Sequence, residues 1–139
     1  MWLLGTPVTL VVVTVGGGGD GFALLRAVIE AVTTWPGGAP FHALLVTGPL
    51  MAAGKRQLLR QAQSASDRLT VLEFTPRLFT YMAAADLIVG MAGYNTVVET
   101  LSLGKRSILI PRTRPRQEQL IRAERLAARG WARLLLPDD

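Results

Sequence analysis

The sequence contains no cysteine and a single histidine. The first absence excludes disulfide scaffolds and thiolate metal sites. The second leaves little for a general-base constellation, since His42 falls at the start of a predicted strand and reads as structural. Aromatic residues make up only 6% of the chain and barely interleave with its arginines. That spacing argues against a stacking platform for single-stranded nucleic acid, so no nucleic-acid partner is expected. A membrane-spanning run is also missing: Met1–Val15 is apolar apart from its threonines, but Gly5 and Pro7 interrupt it and no basic region precedes it. It falls short of the roughly 20 residues that cross a bilayer. The carboxylates show no metal-ligand spacing, so no metal or cofactor is expected.

What is present is a chain of 139 residues, half of them apolar, with 14 glycines and 8 prolines. This is the size of one domain, large enough to bury about two-thirds of its unfolded surface. The 15 lysines and arginines outweigh 10 acids, for a formal charge of +5. Lys105, Arg106, Arg112, Arg114 and Arg116 fall close together with no acid among them. Such a cluster reads as a solvated or membrane-facing surface, or as a seat for a phosphorylated ligand.

Thr9–Val15 is a β-branched run without alternation, the pattern of a central parallel strand covered on both faces. After a glycine turn, Phe22, Leu24, Leu25, Val28, Ile29 and Val32 follow a helical period. The same alternation continues to the end. Strands are predicted at His42–Thr47, Leu69–Phe74, Asp86–Gly90, Ser107–Ile110 and Trp131–Leu136, and helices at Lys55–Ala65, Leu78–Ala85, Asn95–Leu103 and Gln117–Ala128. Strands alternating with helices predict an α/β fold with a doubly wound, six-stranded parallel sheet. Residues 1–8 read as a leader or residual linker and 9–139 as the domain, with both ends placed as if cut from a larger protein.

Right-handed crossovers put the loops after each strand on one rim, where function is expected. Gly16, Gly17, Gly18, Gly19, Asp20 and Gly21 leave backbone amides open to a diphosphate next to a helix start, or simply make a tight turn. The run has no Walker lysine, and no acid follows the second strand at Thr47-Gly48, as a dinucleotide site would want. Gly93, Tyr94, Asn95 and Thr96 open the fourth helix, with Glu99 a turn further on. Amides there suit an anion and the carboxylate suits paired ribose hydroxyls; the alternative is a capping box of Thr96 and Glu99. Glu118 and Gln119 stand at the start of the last helix, where they either meet a polyhydroxylated ligand or line its solvated side. A base could pack beside Phe74, with the backbone of Thr75 at its edge.

Three segments, Ala85–Glu99, Gly104–Arg112 and Arg116–Ala123, together resemble the C-terminal, donor-binding domain of GT-B glycosyltransferases of family 28, and the likeness covers almost the whole chain. The family includes the transferase that adds GlcNAc to a peptidoglycan lipid intermediate. The resemblance implies a Rossmann-like half of a GT-B fold that binds a UDP-sugar, UDP-GlcNAc above others. Gly16–Gly21 would face the diphosphate, Phe74 and Thr75 the uracil, Gly93–Thr96 further phosphate oxygens, Glu99 the ribose, and Glu118 and Gln119 the sugar. The family often carries Gln where Glu118 stands.

The implied reaction is metal-independent transfer with inversion, in which Gly93, Tyr94, Asn95 and Thr96 stabilise the leaving group and no residue of this chain acts as catalytic base. The base would come from an N-terminal acceptor-binding domain or a separate subunit, at the cytoplasmic face of a membrane if the acceptor is a lipid. Taken alone the chain would transfer little. The rival readings are one half of a UDP-sugar epimerase, or a non-catalytic nucleotide-sugar-binding or protein-docking domain.

Overall fold

A computed structural model of the protein describes residues 8–16 and 19–137, so Gly17, Gly18 and nearly all of the expected leader lie outside the described residues. The first half of the chain runs β1 (Leu10–Thr14), α1 (Phe22–Thr33), β2 (His42–Val46), α2 (Ala53–Ala62) with a 3-10 turn at Gln63–Ala65, then β3 (Leu69–Leu72) and α3 (Leu78–Ala84). The second half runs β4 (Leu87–Gly90), α4 (Tyr94–Ser102), β5 (Ser107–Leu109), α5 (Glu118–Ala128) and β6 (Arg133–Leu134). The strands form one six-stranded parallel sheet, as the alternation predicts, and their order is β3-β2-β1-β4-β5-β6.

Residues one apart on β1 feed opposite layers, because successive side chains of a strand point to opposite faces. Val11 and Val13 pack with Leu25 and Ile29 of α1 and Leu59 of α2. Val12 packs on the other side with Leu44, Ile88 and the fully buried Met82 of α3. Further along that second face, Leu109 meets Val97 of α4 and Ala123 and Leu126 of α5. Both faces of β1 are thus covered, which is why its sequence shows no polar alternation.

The strands are shorter than the sequence predicts, most of all β6, which keeps two residues of an expected six. Its partner β5 is itself only three residues long and is followed within two positions by Pro111, so the ladder offers just Ile108↔Arg133 and Leu109↔Leu134.

The end of the sheet away from the rim is tied by Asp86. One carboxylate oxygen, Oδ2, accepts from the Thr9 amide (2.9 Å), the Thr9 hydroxyl (2.8 Å) and the Leu10 amide (2.9 Å), while the Asp86 amide donates to the Leu10 carbonyl (2.9 Å). The two Thr9 bonds, then that from Leu10, hold the Asp86 carboxyl below the usual carboxylate range, with a smaller contribution from the Arg106 charge. His42, also at this end, places Nε2 2.7 Å from the Thr70 hydroxyl, a structural contact away from the rim.

A carboxyl whose folded pKa is depressed adds stability above its unfolded value, near 3.9, and loses it as pH falls through the folded value. Replacing Asp86 with Asn should therefore lower stability by about 1–2 kcal/mol at pH 7, a figure reduced for the partial exposure of the site. The gap to the parent chain should close as pH falls below about 4. Urea unfolding of both proteins at pH 7 and pH 3 measures it, and an equal gap at both values would remove Asp86 ionisation from the account.

Candidate functional site

The order of strands reverses between β1 and β4, and a crevice opens at their carboxyl ends, the switch point where ligands settle in open α/β sheets. Close approach of the two strands makes it. Thr14 sits opposite Gly90, and a Cβ on Gly90 would lie 2.8 Å from the Thr14 carbonyl oxygen. Beyond β1 the chain turns at Gly16, whose φ of +64° favours glycine. It enters α1 after Gly21, which is buried against Val15.

The crevice is a cleft of about 450 Å³. Among the described residues its wall takes Gly16, Gly19 and Asp20 from the first loop, Leu50 from the loop after β2, Met91, Gly93 and Thr96 around the start of α4, and Arg112 and Gln119 from the last rim loop and α5. The starts of α1, α4 and α5 all contribute residues to it or adjoin those that do, and no side chain caps any of these three helices. Uncapped first-turn amides with an aligned helix dipole present positive charge, the condition for holding an anion.

Loops expected to converge from their place after the strands thus share one cleft. Gly21, Phe74, Thr75, Tyr94, Asn95, Glu99 and Glu118 do not form its wall. For Gly21 the reason is packing: an added Cβ would stand 2.3 Å from Val15 Cβ, so the glycine serves the turn. Phe74, which the sequence offers as a platform for a base, is 67% exposed and no part of the core. The Thr75 hydroxyl accepts from the Arg77 amide at 3.0 Å.

Tyr94 is exposed, with the Arg122 guanidinium 5.9 Å from its ring centroid, and Asn95 is exposed beside it. Helix α4 starts at Tyr94 with Gly93 as its N-cap, so Thr96 already lies within the first turn and the capping box of Thr96 and Glu99 does not form. Glu99 is half-buried, and no described group hydrogen-bonds its carboxylate.

In the sequence Arg112 belongs to a cluster of cations that reads as a solvated or membrane-facing surface or as a seat for a phosphorylated ligand. The cluster itself divides: Lys105 and Arg106 precede β5 while Arg112, Arg114 and Arg116 follow it. At about 3.3 Å per extended residue the chain from Arg106 to Arg112 spans up to roughly 20 Å, and β5 places the two groups of charges at its opposite ends. Arg112 instead ties two rim elements together. Nη1 lies 3.0 Å from Asp20 Oδ2, Nη2 lies 3.5 Å from Glu118 Oε1, and its backbone amide donates to Gln119 Oε1 at 2.9 Å. The pair of Asp20 and Arg112 also borders a second cleft of about 500 Å³, lined by Ala23 and Ala27 of α1 and by Ile110, Leu135 and Leu136. The signal for Arg112 was its position directly after the strand-ending Pro111, on the rim.

Among the described residues no three His, Asp or Glu side chains converge as a metal site, and no helix is long and apolar enough to cross a membrane.

Residues 11–139 match the family model described as the glycosyltransferase family 28 C-terminal domain. A UDP-N-acetylglucosamine--N-acetylmuramyl-(pentapeptide) pyrophosphoryl-undecaprenol N-acetylglucosamine transferase from Alkaliphilus oremlandii is 30% identical over 129 residues, covering 92% of this chain and 35% of the relative. The chain spans about a third of the length of the curated relatives it matches. Among solved structures, MurG of Acinetobacter baumannii superposes with a TM-score of 0.73 at 23% identity, over 94% of this chain and 39% of that one. A UDP-GlcNAc 2-epimerase from Neisseria meningitidis, bound to UDP-GlcNAc, shares the fold with a TM-score of 0.62 at 16% identity, over 95% and 33% of the two chains.

Two glycines on this rim should respond unequally to a methyl group. Gly21→Ala should lower stability by about 1–3 kcal/mol, because Val15 has to give way. Gly93→Ala, which meets nothing within 4 Å, should stay within about 1 kcal/mol of the parent. Chemical denaturation of the two variants tests the contrast.

Proposed function

This chain belongs to the glycosyltransferase family 28 C-terminal domains, and on that premise we propose that it is the donor-binding part of an inverting glycosyltransferase that uses UDP-GlcNAc. The observation that carries the reading is the cleft at the switch point, where uncapped helix starts and the glycine loop surround one space of about 450 Å³. A nucleoside diphosphate fits that chemistry. Its phosphates would take the amides after Gly16–Gly19 and at Gly93–Thr96, so that negative charge growing on the leaving group meets fixed dipoles as the sugar departs.

Glu99 would receive the ribose hydroxyls, since a carboxylate without a described partner has acceptor capacity left. Gln119 gives its Oε1 to the Arg112 amide, which leaves its NH₂ for the sugar beside Glu118. The uracil would reach towards Phe74 and the Thr75 backbone on the rim beyond β3. The base that deprotonates the acceptor would come from a further domain or subunit. We infer a lipid-linked acceptor at the cytoplasmic face of a membrane, because the relatives are named for a pyrophosphoryl-undecaprenol acceptor. The epimerase shares the fold alone, whereas the family model favours transfer.

Ligand-observed NMR with UDP, UDP-GlcNAc, a GDP-sugar and NAD tests the reading on the parent chain and on Glu99→Ala. Uridine nucleotides should bind preferentially, and the variant should lose about tenfold in affinity, the worth of a hydrogen bond to a charged group. Preference for NAD, or no nucleotide binding by the parent chain, would overturn it.

A further inference from the structure

The cleft has one feature at odds with an anionic ligand: the Asp20 carboxylate is on its wall. A diphosphate entering beside it meets a like charge at short range, which opposes binding. Arg112 is the only cation among the described lining residues. Its guanidinium is turned to carboxylates, Asp20 at 3.0 Å and Glu118 at 3.5 Å.

Both carboxylates are nearly half exposed, 46% and 47%, so solvent screens the pairs and they hold the arginine weakly. The third guanidinium donor, Nε, is buried with no partner. A buried donor left unsatisfied is unfavourable, and a group offering several oxygens relieves it. The backbone here is anchored by the bond from the Arg112 amide to Gln119 and by the buried Pro111 before it, so a change of partner needs only the side chain to move. A guanidinium fork can take phosphate oxygens two at a time, whereas Asp20 and Glu118 each meet it through a single nitrogen–oxygen pair.

We propose that Arg112 is the counter-charge for the donor's diphosphate: it exchanges its pair with Asp20 for the phosphate oxygens when a ligand enters, so that Asp20 competes with the ligand rather than binding it. The proposal rests on the reading of this cleft as a nucleoside-diphosphate site and assigns the loop carboxylate a role opposite to that of its neighbours. Glycine amides attract the anion, while Asp20 holds the arginine in place between ligands and sets a threshold on binding. It also makes the wall between the two clefts depend on occupancy, since Asp20 and Arg112 border both.

The test is calorimetric titration of the 139-residue chain and its Arg112→Gln, Arg112→Lys and Asp20→Asn variants with uridine, UDP and inorganic pyrophosphate. Arg112→Gln should weaken UDP and pyrophosphate about tenfold or more and leave uridine within about twofold, with Arg112→Lys between it and the parent. Asp20→Asn should tighten both phosphates several-fold, by roughly a factor of 3–10, where a direct ligand would weaken them. In the parent chain the Arg112 Nε–H NMR signal should shift on adding pyrophosphate, a readout that needs no variant to fold.

The assignment is overturned if Asp20→Asn weakens phosphate binding, if Arg112→Gln leaves the ratio of UDP to uridine affinity unchanged, or if the Nε–H signal does not respond. UDP binding no tighter than pyrophosphate would instead sink the nucleoside reading of the cleft, while the pyrophosphate arm still upheld Arg112.

Discussion

The close pairing of β1 with β4 is the constraint on which the remaining arrangement depends. These strands lie far apart in sequence, and the chain lays three strands down on one side before crossing to start the other. They meet at full contact because position 90 carries no side chain to collide with the Thr14 carbonyl. From that junction the two halves of the sheet wind in opposite directions, and the loops leaving β1 and β4 diverge to either side of a space that no crossover fills. The cleft is a by-product of this topology. The sequence decides only what faces it: glycines, one threonine, Arg112 and uncapped helix starts bring donors to a wall that Val15, Leu50 and Met91 otherwise make apolar.

The fold was legible because its signals are local. Continuous β-branched runs marked strands buried on both faces, and a proline soon after Thr47, Phe74 and Ile110 marked where each met the rim. Strand ends were less legible, since β6 depends on how much ladder a three-residue partner offers, a fact of pairing and not of the residues from 131 to 136. The start of α4 shows the same limit at closer range. Thr96 and Glu99 carry the spacing of a capping box, but Gly93 takes the cap conformation, φ −67° and ψ 152°, and the helix begins two residues before the threonine.

The candidate site was legible by place and less so by partner. Rim loops could be enumerated from strand order alone, and Gly16, Gly19, Gly93, Thr96 and Gln119 do surround one cleft. The role of Arg112 could not be read in the same way. Its nearest carboxylate lies 92 positions away along the chain, and a run of cations looks alike whether its members face water, lipid or a loop brought over by the fold. Charge density along a sequence reports composition, whereas the split of this cluster across the two ends of β5 is set by the direction of the strand. The two ends of the sheet also differ in kind: Asp86 and His42 serve packing at one, and the other carries the polar groups left open.

The bare starts of α1, α4 and α5 carry a consequence for how such a domain can change. At Gly21 a side chain meets Val15, whereas serine, threonine or aspartate in place of Gly93 or Gln117 would close the first turn of α4 or α5, one of the recurring routes by which helices gain stability. Here the same residue would put its own oxygen where a ligand's oxygen belongs. An aspartate at the head of α4 would act as a permanent internal inhibitor, occupying by covalent attachment the seat that an anion otherwise visits. A domain built this way stays less robust than its sequence length permits, and variants selected only for thermal tolerance would drift towards self-occupied, silent forms.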